Sequence, residues 1–175
     1  MNAEQLAAAC GCSITLAQVW LDPINEAMQA YDIDTPLRQA AFLAQIGHES
    51  GGLRWVREIW GPTLAQAGYE GREDLGNTEP GDGRRYMGRG LIQVTGRANY
   101  ARMSGALGFD FVASPEALEQ PHWAALSAGW YWHARGLNAL ADAGDFERIT
   151  RRINGGLNGQ VDRVARFEKA QQALA

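Results

Sequence analysis

The sequence predicts a mainly α-helical domain with one small β element and one long ordered loop. Three observations predict it. Apolar residues recur at helical spacing over most of the 175 residues. Residues 61–90 break that pattern with a concentration of Gly, Pro, Asn and Asp. One short stretch, "LIQVT" at 91–95, alternates in the manner of a strand. The length suffices for one core, and neither a repeat nor a linker interrupts it, so residues 1–175 are read as a single domain.

The elements follow in order. Leu16, Val19, Trp20, Ile24 and Met28 form an amphipathic stripe over residues 14–30. Thr35 then caps a second helix, with Pro36 at its first position. That helix, about 36–49, is apolar on most faces and should be central; Gly51 and Gly52 end it. In "LIQVT", Leu91, Gln93 and Thr95 share one face of the expected strand, and Ile92 and Val94 share the buried one. A helix resumes near 96–106. Ser114 and Pro115 are expected to start another, and a strongly apolar helix runs over about 122–135. Trp123, Trp130 and Trp132 fall at core positions on it. A short helix turns Phe146, Ile149 and Ile153 inward. The last one is expected to pack on Val161, Val164, Phe167 and Leu174.

The net charge of −4 gives no global basic field for nucleic acid or an anionic membrane. No run approaches the ~18 apolar residues of a membrane span, and residues 1–20 lack the basic start and apolar core of a secretory signal. The expectation is a monomer that is neither inserted in a membrane nor bound to nucleic acid. Cys10 and Cys12 are too close in sequence to bridge without strain, and no second pair completes a zinc site. The histidines, His48, His122 and His133, form no H-E-x-x-H pattern, so no metal or other cofactor is expected.

The chemistry centres on "AFLAQIGHESGGL", residues 41–53. Glu49 stands in the last turn of the central helix. The helix dipole and burial both disfavour its charge, and both favour the protonated form that a general acid needs. Glu58 lies nine residues on, beyond the Gly-Gly break, and Arg54 and Arg57 near it would keep a carboxylate ionised. One carboxyl kept protonated and one kept bare is the division of labour in glycoside hydrolysis. Trp55, Trp60, Tyr69 and Tyr86 lie in or beside the loop, where they either stack on sugars or pack as core. Arg84, Arg85 and Arg89 either bind carboxylates of a substrate or pair with Asp74 and Asp82.

"FLAQIGHESGG", "LGNTEPGDGRRYMGRGLIQVTGRANY" and "INGGLNGQVDR", in this order, resemble glycoside hydrolase family 19 over about residues 35–168. The wording of "GDGRRYMGRGLIQVTGR" is similar to the phage and prophage endolysin branch more than to the plant chitinases. The resemblance implies a lysozyme-like domain with the long loop beside an active-site cleft. It implies an inverting hydrolase of β-1,4 bonds in peptidoglycan, with a chitinase or a lytic transglycosylase-like enzyme as alternatives. A non-catalytic glycan-binding protein on the same scaffold is the alternative of a different class. By the resemblance, Glu49 is the general acid and Glu58 the general base, with Glu70 of "YEGRED" as the alternative base. Thr95 would help to hold the attacking water. His48, Gln93, Asn99, Asn154 and Arg163 would line or support the substrate cleft, with Tyr86 and Trp60 as sugar-stacking candidates. The implied partner is peptidoglycan or a chitin-type polysaccharide, reached at the wall after holin-type or other release.

Overall fold

The computed structural model describes residues 1–175 and is mostly helical. Helix α1 (Ala3–Cys10) starts on a capping box between Asn2 and Gln5, and α2 (Ile14–Ala30) starts on Ser13. Helix α3 (Pro36–Glu49) begins as expected, with the Thr35 hydroxyl accepting from the Arg38 amide at 3.2 Å. It ends at Gly51 and Gly52, both at positive φ. Short α4 (Leu64–Ala67) and α5 (Asp82–Arg85) punctuate the long loop, with a 3-10 turn at Glu73–Leu75 between them. Helices α6 (Arg97–Leu107), α7 (Pro121–Ala134), α8 (Leu137–Asp142), α9 (Phe146–Asn154) and α10 (Gln160–Leu174) complete the chain.

Helix α3 is the axis of the fold. Ala40 through Gly47 are all buried along it. Helices α1, α8 and α10 pack against α3, and α2 packs on α7. Phe42 meets Trp132 edge-on, with ring centroids 5.4 Å apart. One contiguous cluster of 35 buried apolar residues joins these helices. Trp132 belongs to it outright, and Trp123 and Trp130 pack against it half-buried. No single helix is long and apolar enough to cross a membrane.

Several local expectations are corrected. The "LIQVT" segment is not a strand. Residues 90–93 form a turn in which Gln93 takes φ +56°, and only isolated antiparallel bridges, Arg57 with Arg89 and Arg89 with Val94, remain of the β element. Leu91 is buried with Ile92 and Val94, because a turn has no alternating faces to separate them. Ser114 makes no side-chain cap, and Pro115–Glu119 forms only a 3-10 turn. Val19 and Val161 are exposed rather than inward. Helices α1 and α8 were not foreseen. The Asn2–Gln5 box was a legible start for α1.

Candidate active site

The end of α3 presents Glu49 to a cleft of about 550 Å³ that opens between the helices and the long loop. Glu58, Gln93, Thr95 and Asn154 line the same cleft, with Trp55, Ile59 and Tyr69 among its apolar surfaces. The two carboxylates belong to different parts of the molecule. Glu49 is held by helices, and Glu58 is held by the loop.

Glu49 is not the partnerless, water-starved carboxyl that its position in the sequence suggests. Its side chain is 20% exposed, and Oε1 accepts from Arg163 Nη2 at 2.6 Å. Arg163 reaches it from α10 while itself 2% exposed. The other guanidinium nitrogens are also used. Nη1 donates to Gln45 Oε1 and Nε to the Asn158 carbonyl at 3.3 Å. Gln45, fully buried, passes its own amide to Thr150 Oγ1 at 2.9 Å. Glu49 thus stands at the end of a polar chain, Thr150–Gln45–Arg163, in which every link is donor to acceptor.

Glu58 is not held by Arg54 or Arg57, contrary to expectation. Arg57 reaches Glu119 instead, at 3.5 Å, and Arg54 forms no ion pair. Three neutral donors take their place. Oε1 accepts from the Gly88 amide at 2.5 Å, and Oε2 from Gln66 Nε2 at 3.1 Å and Tyr69 Oη at 3.5 Å. Together they fix both carboxylate oxygens in place. The phenol of Tyr69 is pushed up by burial first and by the Glu58 charge second. The approach to Gly88 needs a glycine. A Cβ there would stand 2.9 Å from Glu58 Oε1 and 3.0 Å from Gln93 Oε1.

Gln66 was missed by the sequence reading. It is buried, its amide nitrogen also donates to the Ile59 carbonyl, and its Oε1 accepts from the amides of Gly61 and Thr63. The Thr63–Gln66 capping box, visible as "TLAQ", was the signal that could have found it.

A family model described as chitinase class I matches residues 27–140. The chain belongs to glycoside hydrolase family 19. It is a glycosidase with the lysozyme-like fold of that family. A family 19 domain-containing protein of Haemophilus influenzae is 36% identical over 154 residues, covering 73% of this chain and 75% of that protein. An endochitinase of Arabidopsis thaliana is 34% identical over 133 residues, which cover 75% of this chain but only 44% of the plant protein. Among solved structures, a bacterial family 19 chitinase superposes with a TM-score of 0.78 at 26% identity, over 99% of this chain and 94% of that one. Chitinase C of Streptomyces griseus gives 0.70 at 28% identity, over 91% and 74%.

The residues singled out from the sequence of this family 19 glycosidase divide into four groups. Glu49, Glu58, Thr95, Gln93 and Asn154 share the cleft. Arg163, His48 and Asn99 lie behind it. Asn99 Nδ2 donates to the Thr95 carbonyl at 2.6 Å and so anchors the turn rather than lining the cleft. His48 Nδ1 pairs with Asp162 Oδ2 at 2.7 Å, and its ring rests on Gly159. Trp60 lines an adjoining cleft.

Two candidates lie elsewhere. Tyr86 is buried, bonded through its hydroxyl to the Val112 carbonyl and packed edge-on against Tyr100. Its alternative reading, core packing, is the correct one. Glu70 is outside the cleft, its two oxygens taken by the amides of Gly81 and Gly83 at 2.6 and 2.9 Å. The loop basic residues also sort differently from their expected pairing. Asp74 pairs with Arg72, Asp82 with Arg97, and Arg89 with Glu119. No group of three or more His, Cys, Asp or Glu side chains could hold a metal ion.

Proposed function

We propose that this glycosidase hydrolyses the β-1,4 bonds of bacterial peptidoglycan with inversion, Glu49 acting as general acid and Glu58 as general base. The observation that carries the reading is that both carboxylates face one solvent-open cleft from separately built walls. Glu49 protonates the glycosidic oxygen. As it becomes an anion, Arg163 is already in place to stabilise it. Glu58, fixed by Gly88, Gln66 and Tyr69, takes a proton from a water on the opposite face of the sugar. Thr95 and Gln93, on the cleft wall, are suited to orient that water and the N-acetyl group. Inversion needs the carboxyl groups ~6.5–9.5 Å apart to admit the water.

Chitin is the second reading, favoured by the endochitinase relatives. The test is mass spectrometry of products from purified peptidoglycan and from N-acetylglucosamine oligomers, with proton NMR of the first anomer released. Hydrated reducing ends in the α form are expected. Anhydro ends, with Glu58 dispensable, would replace the reading by transglycosylation. Turnover by Glu49→Gln equal to the wild type would remove the acid assignment, and no product from either substrate would leave a glycan-binding protein.

A further inference from the structure

Two further clefts continue the one that holds Glu49 and Glu58. The second, of about 370 Å³, shares Trp55, Arg57, Glu58 and Ile59 with the first. The third, of about 490 Å³, shares Arg57, Arg84 and Met87 with the second. Through these shared residues the three adjoin in series, and the branch leaves the first cleft at Glu58.

The branch changes chemistry along its length. Near Glu58 it is apolar, with Trp55 49% and Ile59 75% exposed. Farther out it is cationic, with Arg57, Arg84, Arg85 and Arg89 facing two glutamates, Glu116 and Glu119. These arginines are not equivalent. Arg89 is buried, and its guanidinium is used by Glu119 and Tyr100. Arg85 is turned toward the carbonyls of Val112 and Ala113, to both of which its Nη2 donates at 3.2 Å. Arg57 leans on Glu119 only at 3.5 Å, through an exposed side chain. Arg84 is exposed, and no carboxylate lies within ion-pair distance of it. Of these four, Arg84 alone has a guanidinium with no hydrogen-bond or ion-pair partner, and Arg57 is held only by its long contact to Glu119, both on the branch wall. A guanidinium fork matches a carboxylate in shape and charge.

We infer that this branch is a subsite for a carboxylate-bearing substituent of the glycan, with Arg84 as its anion contact and Arg57 as the cation at its mouth. The inference rests on the peptidoglycan reading above. An unbranched neutral chitin chain has nothing to place there. A peptide stem, carried on alternate sugars, has both the reach and the carboxylates. Because Glu58 belongs to both clefts, the branch opens beside the bond to be cut, so a stem would be read at that sugar.

The test compares kcat/KM on three soluble substrates: stem-bearing glycan strands, the same strands stripped by an amidase, and N-acetylglucosamine oligomers. Arg84→Gln is expected to lower the ratio of stem-bearing to oligomer kcat/KM about tenfold, the scale of one charge-assisted contact, mainly through KM. Arg84→Lys, which keeps the charge, should recover most of that ratio. Loss on stripped strands but not on stem-bearing ones would overturn the stem contact and move it to the lactyl carboxylate, which is free only once the amidase has removed the stem. A ratio unchanged by Arg84→Gln, with stem-bearing strands still cleaved, overturns the branch alone. Failure of the wild type to cleave either peptidoglycan substrate overturns the proposed substrate and the branch together.

Discussion

The guanidinium of Arg163 donates to the carboxylate of Glu49 at 2.6 Å from a side chain that is 2% exposed. The contact ties the end of α3 to α10, the two most extensively packed helices of the fold. The position of Glu49 is therefore set by the core.

Arg163→Gln should unfold at lower urea concentration, with a loss of about 2–4 kcal/mol, because Gln45 Oε1 and Glu49 both lose their donor. Activity should fall further than stability explains. Arg163→Lys should recover only part of it, since an ammonium cannot reproduce the fork that serves both partners. Urea titration and kcat measured on the same preparations check both statements.

Gly88→Ala separates function from folding on the other wall. The added methyl would meet the ends of Glu58 and Gln93, which can swing aside at small cost. Stability should change by less than about 1 kcal/mol, while kcat falls at least ~10-fold as Glu58 leaves the Gly88 amide. An unaltered kcat would detach Glu58 from the reaction.

Asp162 carries a pH dependence. Burial presses its carboxyl upward, but hydrogen bonds and charges from Arg166 and His48 outweigh that and hold it below the ordinary value of 3.8. A depressed carboxyl adds stability above its unfolded value, and loses it as pH falls through the folded one. The wild type should therefore lose stability as pH drops below about 4, and Asp162→Asn should show a flatter acid limb. Urea midpoints between about pH 6 and about pH 2 measure the difference.

The thiols should be slow. Burial raises both Cys10 and Cys12, and Cys10 is wholly enclosed. Iodoacetamide at mildly alkaline pH should modify half-exposed Cys12 first, with Cys10 reacting only after unfolding. Mass spectrometry of timed samples reads the order.

The sequence disclosed what local chemistry decides. Thr35 and Pro36 start α3, Gly51 and Gly52 end it, and Glu49 falls at the cleft as a result. Gln93 and Thr95 were rightly grouped, but for the wrong reason. A turn with Gln93 at positive φ, not a strand, brings them to one wall. What was illegible depends on distant partners. Nothing near Arg57 announces Glu119, and nothing near Glu49 announces a guanidinium from residue 163. Glu70 could stand as the alternative base because the amides of Gly81 and Gly83 that capture it carry no sequence signal. Tyr86 looked available for the same reason, since its burial depends on Tyr100 and Val112.

Every atom that grips Glu58 comes from residues 66–88, whereas every atom that grips Glu49 comes from the helical frame. The two walls can therefore change separately: a substitution in the loop can move Glu58 and leave Glu49 where the helices hold it, a modularity open to recombination and to protein engineers alike.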